Sequence, residues 1–201
     1  MKKIIQFAIS VMLCLGLLAG SAWAQAESEA RTMVEDKVNH VLEILNEANL
    51  TGLTEAQKIE QLKGMIFEVF DMTEMSKRAL GTNYNKFNDV QKQEFAKLFG
   101  EMLEGIYLGN IVTAYSDQKI VFGKTVTLKE NESVEIQSEV VFSSNKKTPI
   151  FYRLSNKSGQ WLAYDIIIEG ISFIKNYRDQ FKELLNKNTP EELLEQMRQK
   201  I

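Results

Sequence analysis

The apolar residues of this 201-residue chain change their spacing twice, near Tyr115 and again after Gly170. Before Tyr115 they recur every three or four residues, which is typical of amphipathic helices. Between residues 120 and 168 they alternate with their neighbours along the chain, which is typical of strands with one buried face. After Gly170 the helical spacing returns. Helices, strands and helices in this segregated order predict an α+β fold, an antiparallel sheet with helices packed on one face.

Three helices are predicted ahead of the sheet. The second begins at the capping-box pair Thr54 and Gln57 and stops at Gly81, with a break near Asp71. The first covers residues 27–48, and its apolar stripe consists of Val34, Val38, Val41, Leu42 and Leu45.

The third helix runs from Asn88 toward Tyr115 and has a wide aromatic face. This face, like the methionines of the second helix, is interpreted as core, with a ligand wall as the alternative. Two more helices follow Gly170, and the last begins at Pro190, a residue suited to a first helical turn.

Four strands are predicted between the helices, at residues 120–128, 134–142, 150–154 and 161–168. A turn at residues 156–159 joins the last two. One face of all four strands is expected to be mainly aliphatic and aromatic.

The first 24 residues are predicted to be a signal peptide. Lys2 and Lys3 precede an uncharged apolar run over residues 4–19, and the small-residue site Ala22-Trp23-Ala24 follows. Cleavage before Gln25 would leave a single domain, residues 25–201. The alternative is a membrane anchor, but the run is short for a span of about 20 residues and no basic stop-transfer cluster follows. The mature chain is therefore expected not to span a membrane.

Charge and cysteine content exclude several classes of protein. The chain has 27 acidic and 24 basic residues, and two of the basic residues belong to the predicted signal peptide, so nucleic acid is not an expected partner. Cys14 is the only cysteine and would leave with the signal peptide, so no internal disulfide or cysteine-based metal site is expected. Leu13, directly before Cys14, does not fit a lipoprotein attachment site.

The inventory of catalytic groups is small. The sequence contains one histidine, His40, and has no glycine-rich phosphate loop, HExxH or GxSxG motif. We interpret His40 as a surface or boundary residue. Asp71 and Asp165 lie in apolar stretches, so each is either a general base of raised pKa or, as we favour, a helix cap or a hydrogen-bonded carboxylate on the back of the sheet. No catalytic residue, metal ligand or cofactor is predicted.

Residues 161–181, WLAYDIIIEGISFIKNYRDQF, resemble the signature of the MlaC family, also called toluene-tolerance auxiliary proteins, in the pattern W…D…EG-S…NYR-QF. Residues 70–75, FDMTEM, followed by Leu80-Gly81, are similar to the family's FD…LG element. Two positions depart from the pattern, Tyr84 in place of a tryptophan and residues 188–190 in place of a glycine-containing turn. The spacing of the next helix is also similar, at Phe95, Phe99, Leu103 and Tyr107.

The resemblance implies a periplasmic phospholipid carrier that maintains outer-membrane lipid asymmetry. Its partners would be an outer-membrane lipoprotein complex and an inner-membrane ABC-transporter complex. It also implies a curved sheet in a cone like that of nuclear transport factor 2 (NTF2-like), with extra helices and with acyl chains between sheet and helices. With the apolar alternation, it predicts a lipid-binding pocket formed by Val69, Phe70, Met75, Phe99, Leu103, Tyr107, Phe122, Val126, Val140, Phe142, Ile150, Tyr152, Tyr164, Ile166, Ile168, Ile171 and Ile174.

Two alternatives to the carrier remain open from the sequence. An NTF2-like enzyme acting on a small apolar substrate would need Asp71 or Asp165 to face the cavity. A periplasmic adaptor would have a filled core and only a protein partner. For a carrier, only the acyl tails need to be hidden, so binding is expected to be indifferent to the type of head group.

Overall fold

In a computed structural model, the backbone of the protein is described for residues 2–116, 118–129 and 132–201, and the side chains for the same ranges from Gln25 onward, apart from Ile66. The predicted signal peptide, with Cys14 and the Ala22-Trp23-Ala24 site, lies outside the residues whose side chains are described. The order of helices, strands and helices confirms the α+β class.

The helices begin where capping residues predict. Thr54, Asn88 and Thr189 each accept a hydrogen bond from the third backbone N–H of their helix, and each belongs to a full capping box. A 3-10 helix, Gly81–Lys86, follows the fourth helix. The α-helices are α1 Lys2–Leu50, α2 Glu55–Leu62, α3 Met65–Val69, α4 Met72–Leu80, α5 Asp89–Ala114, α6 Phe173–Leu185 and α7 Pro190–Arg198.

The second predicted helix is divided into three. The break at Asp71 was predicted, and the Asp71 carboxylate caps α4 by accepting a hydrogen bond of 2.9 Å from the backbone N–H of Glu74. A further break separates α2 from α3 at Gly64, whose φ of 86° suits glycine. The Gly64 N–H donates to a carboxylate oxygen of Glu104 on α5, at 2.5 Å.

The strands form one antiparallel sheet in the order β1-β2-β3-β4-β5. The sequence predicted a helix directly after Gly170, but two residues there extend the sheet as β5. Glu169 and Gly170 both have positive φ, as a type I′ hairpin turn requires, and Ile168 pairs with Ile171. The strands are β1 Lys119–Lys129, β2 Ser133–Val141, β3 Lys147–Ser155, β4 Leu162–Ile168 and β5 Ile171–Ser172.

Three register shifts interrupt the alternation of the strands, two along β1, after Phe122 and after Thr127, and one between β3 and β4. In β1 the register shifts between Phe122, which faces Ser138, and Thr125, which faces Ile136. In β4 Tyr164 is an extra residue, because Arg153 faces Asp165 and Leu154 faces Ala163. Each bulge exchanges the two faces of its strand for the residues beyond it, up to the next shift.

The buried side chains form three clusters. The largest, here called the helical core, lies among α4 to α7 and is built around Phe95, Phe99, Tyr177 and Phe181. The other two clusters hold α1 in place. One packs Ala30 and Val34 of α1 against the sheet, and the other packs Leu45 of α1 against α2 and α5. Among the residues from Gln25 onward whose side chains the structure describes, no helix has both the length and the apolar character needed to cross a membrane.

Candidate functional site

An apolar cavity of about 510 Å³ lies between the sheet and the helices. Its sheet wall consists of side chains that alternation places on one face, and cross-strand pairs such as Ile120 with Val140, Ile150 with Ile168 and Tyr152 with Ile166 keep them together. Burial raises the pKa of the Tyr152 phenol, so this hydroxyl stays neutral. The sheet residues of the wall are Ile120, Val140, Phe142, Ile150, Tyr152, Ala163, Ile166 and Ile168.

Helix α1 forms the second wall. It is anchored on either side of the cavity, because Ala30 and Val34 are buried against the sheet, and Leu45 is buried against α2 and α5. The part of the helix between these anchors crosses the cavity. Its lining residues are Val34, Lys37, Val38, Val41, Leu42 and Leu45.

The remaining walls come from α5 and from the short helices before it. The C-terminal half of α5 and the segment after it contribute Leu103, Tyr107, Leu108, Asn110, Ile111, Ala114, Tyr115 and Gln118. The segment from α2 to α4 and the start of α6 contribute Leu62, Met65, Val69, Phe70, Met75 and Phe173.

Few polar groups face the cavity. The amide of Asn110 donates to the Ile106 carbonyl at 2.9 Å, and the amide of Gln118 donates to the Ala114 carbonyl at 2.5 Å. Lys37 is the one charged side chain among the described lining residues, and its ammonium lies 2.8 Å from a carboxylate oxygen of Glu68. A space lined in this way suits an apolar ligand with little polar recognition.

Eleven of the seventeen predicted pocket residues line this cavity. They come from α3 to α5 and from the sheet: Val69, Phe70, Met75, Leu103, Tyr107, Val140, Phe142, Ile150, Tyr152, Ile166 and Ile168. The other six lie elsewhere: Phe99, Phe122, Val126, Tyr164, Ile171 and Ile174.

Packing and exposure account for four of these six residues. Phe99 and Ile174 belong to the filled helical core, and Ile171 is 65% exposed on β5. Phe122 packs partly buried against the cluster that joins α1 to the sheet.

The bulges account for Val126 and Tyr164. Beyond the β1 bulge, Val126 pairs with Glu135 and so lies on the face away from the cavity. Tyr164 is the bulged residue of β4, and its ring packs into the helical core beneath the Arg78 guanidinium, 3.9 Å from the ring centroid. Ala163 lines the cavity instead.

Neither candidate general base lies among the lining residues. Asp71 caps α4, and the buried Asp165 accepts hydrogen bonds from the Ser172 hydroxyl at 2.6 Å and the Ile174 backbone N–H at 3.0 Å. These contacts confirm the structural interpretation of both carboxylates. His40 is exposed on α1. In the described part of the chain, no three His, Cys, Asp or Glu side chains cluster so as to hold a metal ion.

Sequence reasoning missed the α1 wall and most of the distal α5 wall. The apolar stripe of α1 was visible, but a stripe of this kind packs equally well against a filled core or a cavity. On α5, the prediction ended at Tyr107, whereas the wall continues through Ile111 and Ala114 to Tyr115. The signal available was the length of the α5 stripe, which the sequence continues past Tyr107 toward Tyr115.

The fold and the cavity together define an α+β protein with an apolar pocket between its sheet and its helices. The model of the family described as MlaC protein matches residues 35–199. The chain belongs to the MlaC family, as the resemblance of residues 161–181 predicted.

Individual relatives agree with this assignment. The chain is 31% identical over 126 residues to the intermembrane phospholipid transport system binding protein MlaC of Haemophilus influenzae, covering 61% of this chain and 58% of that protein. It is 26% identical over 130 residues to the toluene tolerance protein ttg2D of Pseudomonas putida, covering 64% of this chain and 60% of that protein. The matches thus span about three fifths of each relative's length.

A solved structure shares the fold. A phospholipid-binding protein from Ralstonia solanacearum, solved in complex with a phospholipid, superposes with a TM-score of 0.72 over 85% of this chain and 96% of its own. The two sequences are 22% identical, so this similarity concerns the fold.

Proposed function

We propose that this protein is a periplasmic phospholipid carrier that exchanges lipid with an outer-membrane lipoprotein complex and an inner-membrane ABC-transporter complex. The observation that carries the proposal is the apolar cavity of about 510 Å³ between α1, α5 and the sheet. Membership of the MlaC family supports it, as do the relatives named for phospholipid transport and binding.

The energetics of lipid transfer explain why an apolar cavity is useful to a carrier. A diacyl lipid has on the order of thirty methylenes, and exposing each to water costs about 0.8 kcal/mol, so an unaided crossing faces roughly 24 kcal/mol. Enclosing the acyl chains removes most of this cost, while the head group stays in solvent. A binding protein therefore speeds transfer without catalysis, and any direction of transport comes from its partners' energy supply.

The cavity also weighs against the two alternative functions. A non-enzymatic role fits the site, because Asp71 and Asp165 are engaged in capping and hydrogen bonding and lie outside the cavity lining. An adaptor with a filled core would have no need for the unfilled space beneath α1.

Mass spectrometry of an organic extract of the purified protein tests the proposal. We expect phospholipid to copurify in a defined molar ratio, and a cavity-free periplasmic protein purified in parallel should carry only traces. An extract without phospholipid, from protein that also fails to take up lipid from vesicles, would contradict the carrier function.

Export is a separate part of the proposal. Removal of residues 1–24, with Lys2, Lys3 and the Ala22-Trp23-Ala24 site as its signals, would release residues 25–201 into the periplasm. Fractionation of the native host followed by N-terminal sequencing should give a soluble periplasmic protein that begins at Gln25. Recovery of intact Met1 in the membrane fraction would contradict this assignment.

A further inference from the structure

Lys37 occupies an unusual position in the cavity wall. It lies on α1 between Val34 and Val41, which both line the cavity, and it lines the cavity itself. Its side chain is nevertheless 35% exposed to solvent. The wall at Lys37 therefore adjoins both the apolar interior and water, which is the environment where an amphiphile places its polar group.

The backbone at this position is firmly held. Ala30, Val34, Leu45 and Ala48 are each at most 2% exposed and anchor α1 on either side of Lys37. The ammonium is thus confined to the reach of one side chain from a fixed helix, at the boundary of the cavity.

The present partner of Lys37 is easily exchanged. The Glu68 carboxylate on α3 accepts a hydrogen bond of 2.8 Å from the ammonium and is 62% exposed, and exposed ion pairs of this kind contribute little to stability. That hydrogen bond and the positive charge of Lys37 hold the pKa of Glu68 below its ordinary value, so Glu68 is ionised at neutral pH. An ammonium has three donors, so it can bind a second anion beside Glu68 or in its place.

The other polar groups of the cavity are poorly suited to an anion. The amide N–H groups of Asn110 and Gln118 donate to backbone carbonyls of their own segment, and Tyr107, Tyr115 and Tyr152 offer only hydroxyl groups. A phosphate group forms its strongest hydrogen bonds with a cation.

We propose that Lys37 binds the phosphate group of the lipid whose acyl chains fill the cavity. The inference rests on the proposed carrier function and refines it. The site then favours diacyl lipids that bear a phosphate over uncharged diacylglycerol, while the groups beyond the phosphate remain unselected. Because the contact is partly exposed, the expected preference is modest, about fivefold.

Competitive uptake from vesicles tests this inference. The vesicles contain equal amounts of phosphatidylglycerol, phosphatidylcholine and diacylglycerol with the same deuterated acyl chains, so that newly acquired lipid is distinguished from lipid carried through purification. Mass spectrometry of the re-isolated protein gives the ratio of phospholipid to diacylglycerol. The wild type should show the preference for both phospholipids, and Lys37→Gln should bring the ratio close to that of the vesicles.

Two further variants separate phosphate binding from the contact between α1 and α3. Lys147→Gln removes a similar exposed pair, Lys147 with Glu139 at 2.8 Å, away from the cavity, and should leave the ratio unchanged. The double variant Lys37→Glu/Glu68→Lys restores an ion pair between α1 and α3 but puts a carboxylate on the cavity wall at residue 37. It should abolish the preference for phospholipid over diacylglycerol.

The outcomes distinguish the inference from the carrier function. If neither lipid class enters the wild-type protein, the carrier function itself fails. If both classes enter, with the same ratio in the wild type and in Lys37→Gln, the inference fails and the carrier function stands. If the charge exchange retains the wild-type preference, a positive charge at residue 37 is not required, and the assignment of phosphate binding to Lys37 is contradicted.

Discussion

Two apolar regions divide the interior of this protein, and their packing differs. In the helical core, the rings of Phe95, Phe99, Tyr177 and Phe181 interlock at centroid distances between 5.1 and 5.9 Å, mostly edge to face. Between α1, α5 and the sheet, equally apolar side chains leave about 510 Å³ unfilled. One region stabilises the frame, and the other encloses space that the frame holds open.

The difference shows what the family signature encodes. Tyr177 and Phe181 belong to the helical core, and Arg178 donates to the Arg78 carbonyl in the last turn of α4, at 2.6 Å. Ser172 caps α6 and donates to Asp165. These residues of the motif thus secure the frame, whereas Ile166, Ile168 and Phe173 of the same segment line the cavity.

Phe99→Ala should have the largest effect on stability. Phe99 is fully buried among three rings of the helical core, so its removal should lower the free energy of unfolding by about 3–5 kcal/mol. Phe142→Ala, at a half-buried position of the cavity wall, should cost about 1 kcal/mol. Urea denaturation of both variants measures the contrast. Equal losses would mean that the two regions are packed alike.

Asp165→Asn should have an intermediate effect. The carboxylate is 3% exposed, accepts two hydrogen bonds and lies 3.7 Å from the Arg153 guanidinium. Its replacement should cost about 1–3 kcal/mol and leave lipid uptake by the folded protein intact. Asp179→Asn, at an exposed position of α6, is the matched control and should be nearly neutral. Loss of a chemical turnover in Asp165→Asn, without loss of stability, would support an enzyme instead.

A smaller effect concerns alkaline pH. Burial, with the neighbouring Tyr107 hydroxyl, raises the pKa of Tyr177 above its ordinary value of 10.0. The unfolded chain therefore releases this proton first, so the contribution of Tyr177 is fully present below pH 10 and is lost as the pH rises toward the folded-state pKa. Tyr177→Phe should show a shallower loss of stability above pH 10 than the wild type. An unchanged slope in thermal melts at pH 9 to 11 would contradict this assignment.

Much of the fold was predictable because its signals are local. Helix starts are fixed by the capping pair Thr54 and Gln57, by the cap at Asp71 and by Pro190 in a first helical turn. The alternation of apolar residues located all four long strands. The break at Gly64 was missed, since a single glycine does not reveal that a distant carboxylate, Glu104, will satisfy its N–H.

The site was harder to predict because it depends on non-local geometry. The apolar pattern of β1 or β4 looks the same in the sequence with or without an extra residue. The sequence therefore did not show that Val126 lies on the other face of the sheet, or that Ala163 rather than Tyr164 lines the cavity. The stripe of α1 predicted a buried face, but whether that face meets side chains or empty space follows only from the separation of α1 and the sheet.

Filling the cavity tests the central claim most directly. Ile166→Trp and Val140→Trp place an indole in the space beneath α1, and Ile174→Trp places one in the filled helical core as a control. Thermal melting and lipid extraction are measured on each variant. At least one cavity variant should stay folded and lose bound phospholipid, while Ile174→Trp should lose about 1 to 3 kcal/mol or more from overpacking. If both cavity variants unfold, or both keep full lipid occupancy, the space between α1 and the sheet is not the lipid site.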